Sequence, residues 1–476
     1  MEVRETNMNH GKKKFWLIIV IVVVLIIPGI FAYIFYGKFY EEEKLYTKKL
    51  ENGLEVIVYE KHDGPIATLL MVVRAGAQIE NSGLDGLAHL HEHVFVYGLR
   101  DNSTIPEDLR KKVENVPFNY YGMTSYAYSI YTFTPFLTED TEKAMILLSD
   151  GFLNPWMGKS DQELQSVLSE EKTSVLAEYD RNQSEPYFAM QKAKIRNLWT
   201  AYPSIMDVIG DRKEVASATI GELRYIGDKF YIPNNCALIV AGDVNHEEIF
   251  ELAEKYFWSW EPGKDPFSDY PYKNPPLNRS AIKVVQGDVS QIRITISFIG
   301  PGCCEEREDT YPMDILLNIL NNPSSRFQKK MVDSGLFTSC HVSYLTLSRD
   351  SSIDFVGDTT PKKFRQAHEA LLEEIESLGE KGYFTREELK NGKLCITNQE
   401  VWEGERSNEY AHTLAFWWSS CGLDYYNSYE KNIKSTSYED LEEFIDEYIV
   451  REPHVSIILI SPKDLKSLNL SKGDSL

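Results

Sequence analysis

Residues 261–280 read EPGKDPFSDYPYKNPPLNRS, a Pro-rich polar stretch that neither a helix nor a strand can traverse. What lies on either side must therefore fold as units joined by a linker. Both sides, residues 45–260 and 281–465, pass through the same events: β-rich runs, an amphipathic helix, more strands, long charged helices and a closing strand. The segment at 141–172 is echoed at 364–393, and CALIVAGDVNHEEIFELA at 236–253 is echoed by VSIILISPKDLKSL at 455–468. Any two α+β stretches look alike in outline, but here the echoes also keep their order. They predict a duplicated unit, with the fold class α+β and two similar domains.

The chain has 476 residues, 43% hydrophobic and 26% charged, which suits packed globular domains and argues against extended disorder. Its net charge of -22, with no Lys/Arg cluster outside the N-terminus, repels phosphate backbones and excludes nucleic acid as a partner. The same charge would fit a cationic peptide, but simple solubility is the plainer reading of it. Six cysteines in so long a chain are too sparse for a disulfide scaffold. The adjacent Cys303 and Cys304 read as packing residues at a strand end, because neighbours rarely bridge each other.

Residues 15–36 carry no charge and follow a basic tail (1–14) that ends in Lys12, Lys13 and Lys14. The run is long enough to span a bilayer, so an uncleaved transmembrane helix is expected at 15–37. A cleaved signal peptide is the competing reading, but no small-x-small site follows. The triple lysine places the N-terminus in the cytoplasm, and the domains beyond it outside. A short tail, 466–476, ends the chain.

Within the first half, LEVIVYE (54–60) and ATLLMVVRAG (67–76) have the β-branched density of strands, separated by an Asp63-Gly64-Pro65 turn. A helix should follow, capped by Asp85 and carrying the apolar stripe Leu87, Leu90, Val94 and Phe95. On it stands His89-Leu90-His91-Glu92-His93. Residues four apart share a helix face, so His89 and His93 can direct two imidazoles at one metal ion. Glu92 lies close to that face and can hold a water and take its proton, as metal-assisted hydrolysis requires. His91 points about 160° away and stays outside the group. A catalytic zinc needs a third protein ligand, and the Glu-rich amphipathic helix expected at 162–181 offers Glu171 and Glu178, two turns apart on one face. One can bind the metal while the other orients a ligand or the water.

At these residues the chain resembles the M16 family of zinc metallopeptidases, the pitrilysin and insulinase group with the inverted His-x-x-Glu-His motif. Gly86-Leu87-Ala88-His89 resembles the approach to the family's first ligand, and LSEEKTSVLAEYDRN (168–182) resembles the segment carrying its third. The resemblance runs from about residue 45 to 460, through FYIPNNCALIVAGDV (230–244) and SSRFQKKMVDSGL (324–336). It implies one Zn2+ per chain held by His89, His93 and Glu178, Glu171 in support, and Glu92 as general base. It further implies a catalytic domain at 45–260 and a non-catalytic one at 281–465, together cutting unfolded or short peptides docked as an added β-strand. Full chambers in this family often take two such chains, so a homodimer, or a heterodimer with another M16-like chain, is implied.

The sequence departs from the family at three places. An Arg and a Tyr that help hold the substrate carbonyl align here with Met331 and Thr338, of which only the Thr338 hydroxyl can donate a hydrogen bond. The substrate-edge Asn aligns with Tyr121, with Asn119 two positions off, and the Asp farther along that strand aligns with Ala127. The interval from His93 to Glu178 is longer than usual, through an insertion around residues 102–118. The expectation is thus a membrane-anchored zinc endopeptidase, and the alternative a weak or silent peptide-binding or assembly subunit that needs a partner chain.

Overall fold

The computed structural model describes residues 44–100, 104–113, 119–200, 207–268, 275–349, 351–404, 406–468 and 470. The first half builds a six-stranded sheet from β1 (Lys44–Lys49), β2 (Glu55–Glu60), β3 (Ile66–Val73), β4 (Tyr120–Thr124), β5 (Ser129–Leu137) and β6 (Cys236–Gly242), in the order β1-β2-β6-β3-β5-β4. The second half builds a five-stranded sheet from β7 (Ala281–Gln286), β8 (Ile292–Gly300), β9 (Ser339–Tyr344), β10 (Ser351–Thr359) and β11 (Val455–Ile460), in the order β7-β11-β8-β10-β9. From β2 onward the two orders are the same. In each, the closing strand runs parallel to the first of these (β6 to β2, β11 to β7) and antiparallel to its other neighbour. The echo of 236–253 at 455–468 is therefore an echo of the two closing strands.

The helices that matter here are α1 (Leu87–Arg100), α2 (Thr141–Leu153), α3 (Asp161–Ser184), α4 (Pro186–Leu198), α5 (Ile220–Phe230), α6 (Arg307–Asn321), α7 (Arg386–Gly404) and α8 (Ser407–Ser420). In the first half α1 packs against α2, α3 and α5, and its Leu90, Val94 and Phe95 enter a core with Leu69, Met71, Tyr131 and Leu238. In the second half α6 packs on α7 over a separate core around Ile294, Phe298, Leu316 and Phe355. Each half also lends a helix to the other. α4, from the first half, lies on β11, β7 and β8, with Met190, Ile195 and Leu198 against Val455, Ile457 and Leu459. α8, from the second, lies on β6 and β3. Both faces of each closing strand are thereby covered, which is why β6 and β11 are buried along their whole length.

Polar contacts seal the exchange. Lys194 on α4 and Asp354 on β10, both nearly buried, form an ion pair at 2.7 Å. Arg74 donates to the Trp418 carbonyl at 2.9 Å, and the Trp418 indole donates to Glu55 at 2.9 Å.

Several expectations need correction. Among the described residues no helix is long and apolar enough to cross a membrane; α3, with 24 residues, has the length but is rich in charge. This overturns the single-pass localisation with a cytoplasmic N-terminus and extracytoplasmic domains, and the apolar run at 15–37 lies outside the described residues. Asp85 does not cap α1. The Glu80 carboxylate accepts from the Gly86 and Ala88 amides at 2.9 and 2.7 Å instead. Cys303 is no mere packing residue, since it forms a disulfide with Cys421, 118 positions away, tying the loop before α6 to the end of α8.

Candidate metal centre

The site begins with the register of α1. Burying Leu90 and Val94 turns His89, Glu92 and His93 toward α3 and the edge strand β4. α3 starts at a capping box, Ser160 with Glu163, which fixes its register and sets Glu171 and Glu178 opposite α1. The ligating atoms of His89, Glu92 and His93 lie within 4.8 Å of one another. Glu178 bridges the two imidazoles, with its oxygens 3.7 Å from His89 Nε2 and 3.9 Å from His93 Nε2. Glu171 meets the other nitrogen of His93, Nδ1, at 3.1 Å. A tetrahedral ion with bonds of about 2.1 Å has ligand atoms about 3.4 Å apart, so these separations suit a shared cation better than direct hydrogen bonds.

The electrostatics agree. Three carboxylates converge on two histidines, and burial, with help from His93, drives His89 down to about 4, so it is a neutral imidazole at physiological pH. Burial also raises Glu92 to about 7; Glu178 and Glu171 push the same way, while His93 and the Thr124 hydroxyl oppose. Neutral imidazoles with a carboxylate are the donor set zinc takes, and a divalent charge would offset the surplus of acids. His89 Nδ1 is buried with no hydrogen-bond partner among the described residues. His91 is buried among Phe95, Trp156 and Tyr231, away from this group.

β4 closes one side. Gly122 faces Glu92 so closely that a methyl group there would fall 2.2 Å from Glu92 Oε1, and Thr124 donates to Glu92 Oε2 at 3.4 Å. The alternating strand then turns Tyr121 to the opposite face, where its hydroxyl meets His412 Nε2 on α8 at 3.0 Å. Asn119 is exposed just before β4. Among the described strands β4 pairs only with β5, so its outer edge is open. The remaining candidate stands elsewhere: Thr338 precedes β9, and its hydroxyl donates to the Asp358 carbonyl at 3.0 Å and to Gln291 at 3.1 Å. Met331 is fully buried in the second core. Sequence reasoning passed over Gly122, Thr124 and His412. Only a small residue followed by a hydroxyl two positions on, in a strand after the histidine helix, hinted at the first two.

Comparison with known proteins agrees with this geometry. Residues 55–204 match the family model "Insulinase (Peptidase family M16)" and residues 217–394 match "Peptidase M16 inactive domain". A zinc protease of Helicobacter pylori is 22% identical over 418 residues, 86% of this chain and 91% of that protein. An uncharacterized zinc protease of Rickettsia felis is 24% identical over 223 residues, so the chain spans about half (52%) of that relative's length. The crystal structure of a protease from Helicobacter pylori superposes with a TM-score of 0.73 at 20% identity, covering 88% of this chain and 100% of that one. With two M16-like domains of mixed helix and strand, and the His-x-x-Glu-His motif at His89, Glu92 and His93, this chain belongs to the M16 family of peptidases.

Proposed function

We propose that this chain is a zinc metalloendopeptidase acting on unfolded or short peptides, with the catalytic half at 45–260, a linker at 261–280 and a non-catalytic half at 281–465. The observation that carries the reading is the convergence of His89, His93 and Glu178 from two helices, with Glu92 beside them. His89, His93 and Glu178 would hold one zinc ion, and Glu171 would fix the ring of His93. Bound there, zinc would supply Lewis-acid chemistry, polarising a peptide carbonyl and acidifying water.

The rest falls to the protein. A peptide laid along the open edge of β4 gains main-chain hydrogen bonds that fix its carbonyls without reading its sequence, with Asn119 and Tyr121 at that strand meeting its flanks. Glu92, held by Thr124 and seated against Gly122, takes the proton of the attacking water. A carboxylate in that position can accept it and pass it to the leaving amine. The test is Glu92→Gln. Cleavage of a pool of unstructured peptides, read by mass spectrometry, should fall about 10²–10⁴-fold while zinc stays near one per chain. Equal cleavage by both proteins would sink the assignment.

One observation supports a second reading. Met331 is locked in the core and the Thr338 hydroxyl is engaged within the second half, so neither position offers a cation or a phenol to a substrate carbonyl. On that reading the chain is a peptide-binding or assembly subunit, and a second M16-like chain, identical or different, completes the chamber. Zinc bound without turnover, and turnover appearing on adding such a chain, would support it.

A further inference from the structure

A chain laid along the open edge of β4 meets two different faces. Tyr120, Gly122 and Thr124 turn inward, Tyr120 onto the first core and the other two beside Glu92. By the alternation of a strand, Tyr121 and Met123 share the opposite face. On their inner side they pair with Thr132 and Ile130 of β5, and among the described strands none stands on their outer side. Both are exposed, at 42% and 41%, so one face of a single short strand shows two large apolar side chains to its open edge.

α8 borders this second face. His412 and Phe416, four apart, stand on one side of that helix. His412 Nε2 meets the Tyr121 hydroxyl at 3.0 Å, with the two rings within 12° of parallel, and Phe416 meets Tyr128 edge to face. Burial lowers the pKa of His412, so its imidazole is neutral at physiological pH and brings no charge. The hydrogen bond holds the Tyr121 ring against α8, and together Tyr121 and Met123 form an apolar shelf that is in place before a peptide arrives.

A strand added to β4 places its side chains by the same alternation. The residue opposite Gly122 faces Glu92 and the two histidines, where the glycine leaves room for it. Its neighbours on either side face Tyr121 and Met123. Side chains directly opposite one another are the pairs through which strands recognise each other, and aromatic or aliphatic partners are favoured there.

We propose, resting on the peptidase reading above, that Tyr121 and Met123 select peptides with large apolar side chains at two positions separated by a single residue, the separating residue being the one presented to His89, Glu92 and His93. The scissile bond then joins that residue to one of its apolar neighbours. Main-chain bonds to β4 remain indifferent to sequence, and the selection lies in the side chains. A basic peptide, which the net charge of -22 would attract, finds no carboxylate on Tyr121, Met123 or His412.

The test uses the full chain and three short unstructured peptides alike except at one tripeptide: Phe-Gly-Leu, Ser-Gly-Ser or Lys-Gly-Lys. The kcat/KM of the first should exceed that of the second by about tenfold, the gain two cross-strand pairs allow, with the cut beside the glycine. Glu92→Gln should bind labelled forms of the three in the same order, read by fluorescence anisotropy. Tyr121→Ser combined with Met123→Ser should level the apolar and serine peptides, and Met123→Glu should raise Lys-Gly-Lys above Ser-Gly-Ser. Should the double variant fail to fold, Met123→Glu decides alone. A parent that treats the three alike or prefers Lys-Gly-Lys, or an apolar preference left intact in either variant, overturns the proposal. So does a parent dimer that the double variant dissociates with the peptide ratio unchanged, since a second copy would then hold the edge. Ordered binding without cleavage by the parent would overturn the peptidase reading alone, and cleavage without preference this proposal alone.

Discussion

Gly122→Ala isolates the geometry of the site better than removal of any of its acids. The added methyl would stand 2.2 Å from Glu92 Oε1, 2.8 Å from its carboxyl carbon and 2.7 Å from Val96 Cγ2. Ordinary contact needs about 3.3 Å or more, so the carboxylate must retreat by roughly 1 Å or β4 must bow outward by as much. The methyl is small, the strand is at an edge, and alanine suits a strand no worse than glycine, so the overall penalty should stay near 1–2 kcal/mol. Catalysis is less forgiving, because a displacement of about 1 Å at a reacting group costs about 100-fold. The variant should therefore fold, melt within a few degrees of the parent and bind as much zinc as the parent does. Its kcat on a fluorogenic peptide should fall about 100-fold, with a smaller change in KM. Full activity in a folded Gly122→Ala would refute the reasoning, since Glu92 could not then be acting from the position it holds beside β4.

Other expectations concern the frame around the site. Glu171→Ala removes the carboxylate on His93 Nδ1 and should weaken zinc binding about 10–100-fold, measured by competition with a chelator. Burial lifts the Asp314 carboxyl to about 7, while Tyr429 donates to it at 2.6 Å. Between about pH 4 and 7 the folded chain thus holds a proton the unfolded chain has released, and stability falls as pH rises through that window. Asp314→Asn should then stabilise by about 1–3 kcal/mol at pH 8 and by nothing near pH 4, as urea denaturation would report; equal gains at both would contradict it. Replacing Cys303 and Cys421 by serine opens a loop of 118 positions and should cost about 2–4 kcal/mol, seen as a lower melting temperature that reductant no longer changes.

The sequence announced those parts of the molecule whose periodicity is local. The run LEVIVYE yields β2, the leucine and valine spacing yields α1, and the five residues from His89 to His93 could be assigned a face from helical geometry alone. The partnership of Glu171 and Glu178 with that face was legible because seven positions is two turns. Contacts set by folding were not. Glu80 caps α1 from a turn six residues upstream of Gly86, so the nearer Asp85 looked the better candidate. Cys303 and Cys421 carry no mark of each other over 118 positions. The exchange of α4 and α8 rests on shape between elements far apart in sequence, which no single-strand pattern encodes.

That exchange bears on how the chain is made. The last strand of the first sheet ends at Gly242, but the helix that covers its second face ends only at Ser420. At ribosomal speeds of about 5–20 residues per second, the face of β3 and β6 waits roughly 10–35 s for its cover. During that interval the nascent first half presents an uncovered apolar surface with a finished sheet behind it, a natural client for a holding chaperone. The half that carries the histidine helix is thus the first to be synthesised and cannot be completed until nearly the whole polypeptide has emerged, which delays assembly of the His89, His93 and Glu178 group until synthesis is almost over.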